Sequence, residues 1–280
     1  MKYGINTLLW TAGFDESHLD LLPRIREMGF DGVEIARFTF DKYPAAAIRK
    51  AVESNGLDAI ACSALTGRMS LWDEDAPVAL EFLKDAIRWT AAIGAKTLVG
   101  PFCSAVGYLP GRRRTPSEWQ RAIDGLQTLS PVLAENDVTL GIEPLNRFET
   151  FFLNTAEDAR VLCDAIDDPR IGVLFDTFHA NIEEKTLAAA LATIGSKHLK
   201  HVHTCENDRG IPGTGHVAWP ELFDSLRRLN YDGWLVIESF GAAIPEIAAA
   251  ACIWRDLAPS SESIASDGVR FLKSHGTVSI

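Results

Sequence analysis

Eight short apolar runs alternate with longer amphipathic stretches along the 280 residues, and this pattern predicts an α/β fold, a parallel (β/α)8 TIM barrel. No GxGxxG motif follows the first apolar run, which argues against the alternative of an open, doubly wound sheet. No low-complexity linker divides the chain. We therefore expect residues 1–280 to form a single domain.

The predicted strands are short, apolar and rich in β-branched residues, as is typical of a parallel sheet covered on both faces. They lie at residues 4–9, 32–35, 57–62, 96–101, 138–143, 171–176, 198–203 and 233–238. Each is followed by enough chain for a returning helix, which gives eight strand–helix units.

The helices are predicted from apolar residues that recur at steps of three or four. The clearest lie at residues 16–29, 76–93, 117–134 and 156–166, with an extra C-terminal helix at about 263–274. Gly29 and Gly94 follow two of them, as glycine often does at a helix C-terminus. Thr155 is a suitable N-cap for a third.

The composition limits the classes of function. A net charge of −11 argues against nucleic acid and against anionic membranes as partners, and favours a small-molecule ligand. The five cysteines are scattered without a CxxC motif, which predicts free thiols in a reducing compartment. The N-terminus lacks a signal-peptide pattern, and no apolar run approaches the roughly 20 residues of a spanning helix. We expect a cytoplasmic protein.

The stretch LVIESF predicts a buried strand that ends in a carboxylate. Each of the last four predicted strands likewise ends in an acidic residue or a histidine. They end at Glu143, Asp176, His203 and Glu238. In a barrel these ends meet at one mouth, where three carboxylates would repel each other unless a cation neutralised them. Three oxygen ligands and one nitrogen are typical of Mn²⁺, with Mg²⁺ or Co²⁺ also possible. The alternatives are that a strand-end acid caps the following helix and that His203, like the nearby His201, is a structural core histidine.

Further polar residues lie on the loops that follow these strands. Glu149, His179 and Arg209 could bind a polyhydroxylated ligand, or could be ordinary loop residues. The run from Arg112 to Arg114 could bind a phosphate, but we favour a solvated loop because no glycine-rich helix start accompanies it.

Several segments resemble one family, the ketose 3-epimerases of the D-tagatose/D-psicose group within the xylose-isomerase-like barrels. They are GIEPLNRFE, FDTFHANIEE, HVHTCENDRGIPGTGH, YDGWLVIESF and the later WRD. The resemblance covers most of the chain and is specific between residues 141 and 240.

The resemblance implies an isomerase that epimerises free ketoses at C3 by deprotonation and reprotonation through a cis-enediolate. It implies one divalent metal ion held by the four strand-end residues, with Glu143 and Glu238 as the acid/base pair. It also implies that Glu149, His179 and Arg209 contact the sugar, and that the protein is a homodimer or homotetramer.

Two departures from the family pattern concern the rim. Relatives often have proline where this chain has Ser239, and the strand-four loop PFCSAVGYLPG lacks a tryptophan that several relatives carry. Which ketose is preferred is therefore left open, and the rim residues expected to set chain length are Trp10, Cys62, Phe102, Tyr108 and Phe240.

Similar barrels have other functions, which are alternatives to ketose epimerisation. A one-metal inosose isomerase or dehydratase is the nearest alternative, and a metal-free sugar-binding barrel is a remote one. A hydride-shift isomerase normally needs a strand-end lysine, which is not found after Glu143. A trinuclear zinc endonuclease needs extra histidines, whereas strands two to four end in Glu34, Cys62 and Gly100-Pro101.

Overall fold

The computed structural model describes residues 1–40, 45–241 and 244–276, and in this part of the chain eight parallel strands form a closed barrel. The strands are β1 (Lys2–Asn6), β2 (Gly32–Ala36), β3 (Asp58–Cys62), β4 (Thr97–Gly100), β5 (Thr139–Ile142), β6 (Ile171–Asp176), β7 (Leu199–His203) and β8 (Trp234–Ile237). Neighbouring strands pair in sequence order, and β1 pairs with β8 where Gly4 lies opposite Val236. The predicted barrel is confirmed.

The first strand ends earlier than its predicted range of 4–9. Residues Thr7–Leu9 form a short 3₁₀ helix, and the Asn6 side chain accepts a hydrogen bond from the Leu8 amide at 2.9 Å. This local cap competes with continued strand pairing, so the apolar residues at 8 and 9 belong to a turn at the barrel rim.

Helices follow the strands around the outside of the barrel. They are α1 (Leu21–Glu27), α2 (Ala45–Ser54), α3 (Ala76–Ala92), α4 (Pro116–Gln127), α5 (Ser130–Asn136), α6 (Ala156–Ile166), α7 (Thr177–Glu183), α8 (Leu187–His198), α9 (Trp219–Arg228), α10 (Pro245–Ala250) and α11 (Ser261–Gly276). The last of these is the predicted C-terminal helix. Thr155 caps α6 as expected, because its side chain accepts a hydrogen bond from the Asp158 amide.

Two predicted helices are shorter than their apolar periodicity suggested. The range 16–29 divides into a 3₁₀ turn at Glu16–His18 and helix α1, and the range 117–134 divides into α4 and α5. The second break has a clear cause, because Pro131 has no N–H to donate to the carbonyl four residues earlier. Proline is tolerated only in the first turn of α5, so a new helix begins there.

Apolar side chains fill the barrel interior and the layer between strands and helices, with Ile5, Val33, Ile35, Leu98 and Leu140 fully buried. Among the described residues, no helix is long and apolar enough to cross a membrane. The polar residues of interest lie beyond this core, at the C-terminal ends of the strands.

Candidate active site

Glu143, Asp176, His203 and Glu238 come together at the C-terminal mouth of the barrel, as predicted. Each is buried, and each offers one potential ligand atom within 4.8 Å of those of the other three. Asp176 and His203 are the last residues of their strands, and the two glutamates directly follow theirs. The barrel places them there because parallel strands all end on the same side.

His203 presents one ring nitrogen to this cluster. Its Nε2 lies 2.9 Å from Glu34 Oε1 in a hydrogen bond, while its Nδ1 lies 3.3 Å from Glu238 Oε2 and 3.5 Å from Asp176 Oδ2. Carboxylates lie near both ring nitrogens, so a cation held beside Nδ1 would leave the single ring proton on Nε2, toward Glu34, and would receive the Nδ1 lone pair.

The charges of the cluster perturb one another strongly. Burial, together with the negative charges of Glu238 and Asp176, raises the pKa of Glu143 well above its ordinary value. Burial would also raise the pKa of Asp176, but Arg209, His179 and His203 together outweigh it and hold that pKa far below the usual range. Burial would lower the pKa of His203, yet the carboxylates around it raise that pKa well above normal. The crowded carboxylates therefore favour bound positive charge, which a metal ion could supply in place of protons.

The donor set fits a hard divalent ion. Within the described chain, Glu143 Oε1 and His203 Nδ1 are buried and have no hydrogen-bond partner, although both point into the cluster. Buried polar atoms of this kind are normally satisfied. Three carboxylates and one imidazole match the oxygen-rich ligand sets of Mn²⁺ and Mg²⁺ better than a thiolate zinc site.

Asp176 serves both of the functions weighed from the sequence. Its Oδ1 accepts hydrogen bonds from the amides of Phe178 (2.6 Å) and His179 (3.2 Å), so it caps α7. Its Oδ2 remains directed into the cluster. The helix cap orients the carboxylate and leaves one oxygen for the site.

Arg209 lies closer to the cluster than the sequence suggested. Its Nη1 donates to Asp176 Oδ2 at 2.9 Å and to Glu238 Oε2 at 3.1 Å, and its Nη2 lies 3.1 Å from His179 Nε2. The side chain also lines the cavity described below. It therefore joins the acidic cluster to the ligand space.

The backbone and surroundings of Arg209 hold it firmly. Its φ of 66° lies in the left-handed region, which is uncommon for a residue other than glycine. The guanidinium lies 4.3 Å from the ring centre of Phe178 and 4.8 Å from that of Phe240. Strained backbone of this kind persists where the surroundings over-determine it, and it is common at functional sites.

The loop between β7 and α9, which carries this arginine, is folded around the carboxylate of Glu206. That carboxylate accepts hydrogen bonds from the amides of Asn207 (3.1 Å), Gly213 (2.8 Å) and Val217 (3.0 Å), and from Trp219 Nε1 (2.9 Å). Gly213 has a φ of 92°, and a Cβ there would lie 2.4 Å from a ring carbon of Phe271. The loop conformation is thus fixed from its centre.

His179 and Glu149 are connected by Asn146. The Asn146 amide N–H donates to His179 Nδ1 at 3.0 Å, and its side-chain Nδ2 donates to Glu149 Oε1 at 2.7 Å. While Nδ1 accepts from that amide, Nε2 lies between Arg209 Nη2 at 3.1 Å and Glu143 Oε1 at 3.5 Å. Burial lowers the pKa of His179, which keeps the ring neutral.

Two residues of this site were not predicted as part of it. Glu34 lies fully buried beneath the cluster, and Asn6 Nδ2 donates both to Glu34 Oε1 (2.7 Å) and to Glu238 Oε1 (3.3 Å). His201 Nε2 lies 2.8 Å from Glu34 Oε2, so this histidine supports the site from inside the barrel. The signal in the sequence was a charge within the otherwise apolar run GVEI.

A cavity of about 350 Å³ opens above the cluster. Its polar lining includes the five side chains singled out above, Glu143, Glu149, His179, Arg209 and Glu238, together with Ser63, Thr66 and Glu246. The rest is largely apolar and includes residues of α10. A ligand in this space would meet both hydrogen-bonding groups and hydrocarbon.

The expected chain-length determinants are only partly correct. Cys62 and Phe240 line the cavity. Phe102 is fully buried in the core, Trp10 donates a hydrogen bond to a residue of α11, and Tyr108 stacks against Trp72, so none of these three lines it. Aromatic residues in a rim loop can pack inward, which sequence alone does not reveal.

The arginine run is structural at both ends. Arg112 forms a two-pronged ion pair with Glu118, and Arg114 forms one with Asp158. These partners use the groups that would otherwise bind a phosphate, in line with the expected solvated loop.

The closed parallel barrel, with a buried acidic cluster at its mouth that could hold a metal ion, defines the class of fold, and comparison with known proteins agrees. Residues 22–275 match the family described as xylose isomerase-like TIM barrel. A probable ketose 3-epimerase of Synechocystis sp. is 36% identical over 98% of this chain and 96% of its own length. A D-psicose 3-epimerase of Enterocloster bolteae is 32% identical over 95% of this chain and 91% of its own.

A crystal structure of the D-allulose 3-epimerase from Methylomonas sp. superimposes with a TM-score of 0.91, at 27% identity, and covers 98% of both chains. The chain therefore belongs to the ketose 3-epimerases of the xylose isomerase-like TIM barrel family, and it is an isomerase.

Proposed function

We propose that the protein catalyses metal-dependent epimerisation of free ketoses at C3. The observation that carries this proposal is that Glu143 and Glu238, on strands separated by two others, border one cavity beside a cluster suited to a divalent ion. The relatives named above as ketose and D-psicose 3-epimerases support the reaction class.

The metal would be held by Glu143, Asp176, His203 and Glu238, and we propose Mn²⁺, with Mg²⁺ or Co²⁺ as substitutes. When bound, the ion supplies positive charge that stabilises the negative charge developing on the substrate oxygens. The unpartnered atoms of Glu143 and His203 support this assignment.

The two glutamates carry the proton transfers. One carboxylate removes the proton from C3, and the other returns a proton to the opposite face of the resulting cis-enediolate. Inversion requires groups on both sides of the sugar, and β5 and β8 approach the cavity from different directions. The same two carboxylates serve the reverse reaction with their functions exchanged.

Glu149, His179 and Arg209 orient the sugar. His179 presents its Nε2 to the cavity for a hydrogen bond with the sugar, the Arg209 guanidinium donates to hydroxyl or carbonyl oxygens, and Glu149 accepts from a hydroxyl. The apolar residues of the cavity lining offer few hydrogen bonds to the far end of the sugar's carbon chain.

Incubation of Mn²⁺-loaded protein with D-fructose, D-tagatose or L-ribulose in D₂O tests the reaction. We expect the C3 epimer with deuterium at C3, measured by NMR. An aldose product, or an epimer without deuterium, would contradict the proposed proton transfer. Treatment with EDTA followed by addition of Mn²⁺, Mg²⁺ or Co²⁺ identifies the ion that restores activity.

A further inference from the structure

Glu34 occupies an unusual position for a carboxylate, in the interior of the barrel on β2. It is fully buried and is absent from the lining of the cavity, so it does not touch a ligand there. Its Oε1 accepts hydrogen bonds from Asn6 Nδ2 at 2.7 Å and His203 Nε2 at 2.9 Å, and its Oε2 lies 2.8 Å from His201 Nε2. An isolated buried carboxylate is very costly, so the N–H groups of Asn6 and His203 on Oε1 must stabilise its charge. His201 Nε2 is close to Oε2 but makes no hydrogen bond with it.

The orientation of Asn6 is fixed independently. Its Oδ1 accepts from the Leu8 amide at 2.9 Å, so its NH₂ group must point toward Glu34 and Glu238. Two N–H donors therefore converge on Glu34 Oε1, and such hydrogen bonds favour the ionised carboxylate.

The consequence concerns which nitrogen of His203 carries the proton. With Glu34 ionised and a cation in the cluster, the ring keeps its single proton on Nε2 and would offer the Nδ1 lone pair to the ion. The same carboxylate holds Asn6, whose second N–H reaches Glu238 Oε1. Glu34 thus acts on two members of the cluster without joining it.

We propose that Glu34 is a positioning residue that fixes His203 for metal binding and, through Asn6, fixes Glu238. This inference rests on the metal centre proposed above. Carboxylates that orient a metal-binding histidine typically contribute 10–100-fold to metal affinity or activity.

Calorimetric titration of metal-free protein with MnCl₂ tests the inference. We expect Glu34→Gln to bind Mn²⁺ about 10–100-fold more weakly than wild type. The matched control is Glu118→Gln, because Glu118, on α4, is also a buried carboxylate but pairs with Arg112 and does not line the cavity. Its Mn²⁺ affinity should equal that of wild type.

The outcomes separate this inference from the proposed function. Equal Mn²⁺ affinity of Glu34→Gln and wild type would overturn the inference alone. A wild type that binds no stoichiometric Mn²⁺ would overturn the metal centre and the inference with it. More than one Mn²⁺ per chain, with the second lost in Glu34→Gln, would make Glu34 a ligand and overturn its positioning assignment.

A measurement on the wild type does not depend on whether the variant folds. In ¹⁵N-histidine-labelled protein loaded with diamagnetic Mg²⁺, long-range ¹H–¹⁵N correlation reports the tautomer of each ring. We expect His203 to carry its proton on Nε2. A proton on Nδ1 would overturn the inference.

Discussion

The two glutamates at the mouth of the barrel have different neighbours, although the proposed reaction treats them as a pair. Glu238 is contacted by Asn6 and Arg209, which fix both of its carboxylate oxygens. Glu143 has only a long contact, 3.5 Å, to His179 Nε2, and its Oε1 is otherwise unpartnered among the described residues. Glu143 is therefore the freer of the two to reorient toward a ligand.

Replacement of either glutamate by glutamine should remove turnover. Glutamine has nearly the same shape but does not exchange a proton at neutral pH, so we expect kcat for a ketose to fall by about 10²–10⁴-fold in Glu143→Gln and in Glu238→Gln. The measurement is initial rate at saturating Mn²⁺, with circular dichroism to verify the fold. Full activity in either variant would remove that residue from the acid/base pair.

Arg209→Lys should affect substrate binding more than the chemical step. Lysine keeps the charge but cannot contact both the carboxylates and His179, because it has a single nitrogen in place of the planar fork. We expect KM to rise by about tenfold, as for one lost charge-assisted hydrogen bond, with a smaller change in kcat. Unchanged kinetics would assign Arg209 to the loop structure alone.

At the scale of the elements, the loop between β7 and α9 depends on one acid. In the part of the chain that the structure describes, the Glu206 carboxylate pairs with no arginine or lysine and is held by N–H donors alone. Burial would raise its pKa, but these donors lower it, so the carboxylate is ionised at neutral pH. Ser239 adds a second tie, since its Oγ donates to the carbonyl of Gly210 at 3.4 Å, a bond that proline in that position could not make.

Glu206→Gln should loosen this loop. The new side-chain NH₂ group of the glutamine would face backbone or indole N–H groups that need an acceptor, which it cannot provide. An unsatisfied buried donor costs about 1–3 kcal/mol. We expect faster hydrogen exchange at the Gly213 and Val217 amides and a higher KM. Trp219→Phe is the control, because it removes one donor and leaves the carboxylate; exchange equal in the two variants would refute the central importance of Glu206.

Helices and strands were predictable from the sequence to the extent that their cause is local. Apolar periodicity located α3 and α6 almost to the residue. It joined α4 and α5, because the periodicity continues across Pro131 although the backbone hydrogen bonds do not. The strand-end acids identified the mouth of the barrel. Glu34, which supports the acidic cluster without joining it, was not predicted, because its partners come from β1 and β7 and share no local sequence pattern with it.

At the scale of the whole molecule, barrel closure concentrates charge that four separate strands bring from distant parts of the chain. Ions that bind only the folded state stabilise it by mass action. The protein without a cation must therefore be less stable than the loaded form, since the acidic cluster remains incompletely neutralised.

Mn²⁺ should raise the melting temperature. At a free concentration 100 times Kd the linkage amounts to about 2.7 kcal/mol, which corresponds to about 5–10 °C for a domain of this size. Differential scanning calorimetry with EDTA and with Mn²⁺ measures this. Asp176→Asn, which keeps the cap on α7 but weakens the ligand, should lose most of the shift; an equal shift would place the ion elsewhere.

The pairing of β1 with β8 also has a consequence in time. Glu238 directly follows the final strand, and its neighbour Asn6, whose side-chain amide donates to it, is the last residue of the first. The ribosome must therefore synthesise the chain as far as Glu238 before the four-residue cluster can form. Fragments that end before β8 would lack one of its four members. The cluster is therefore complete only once β8 pairs with β1 and closes the barrel.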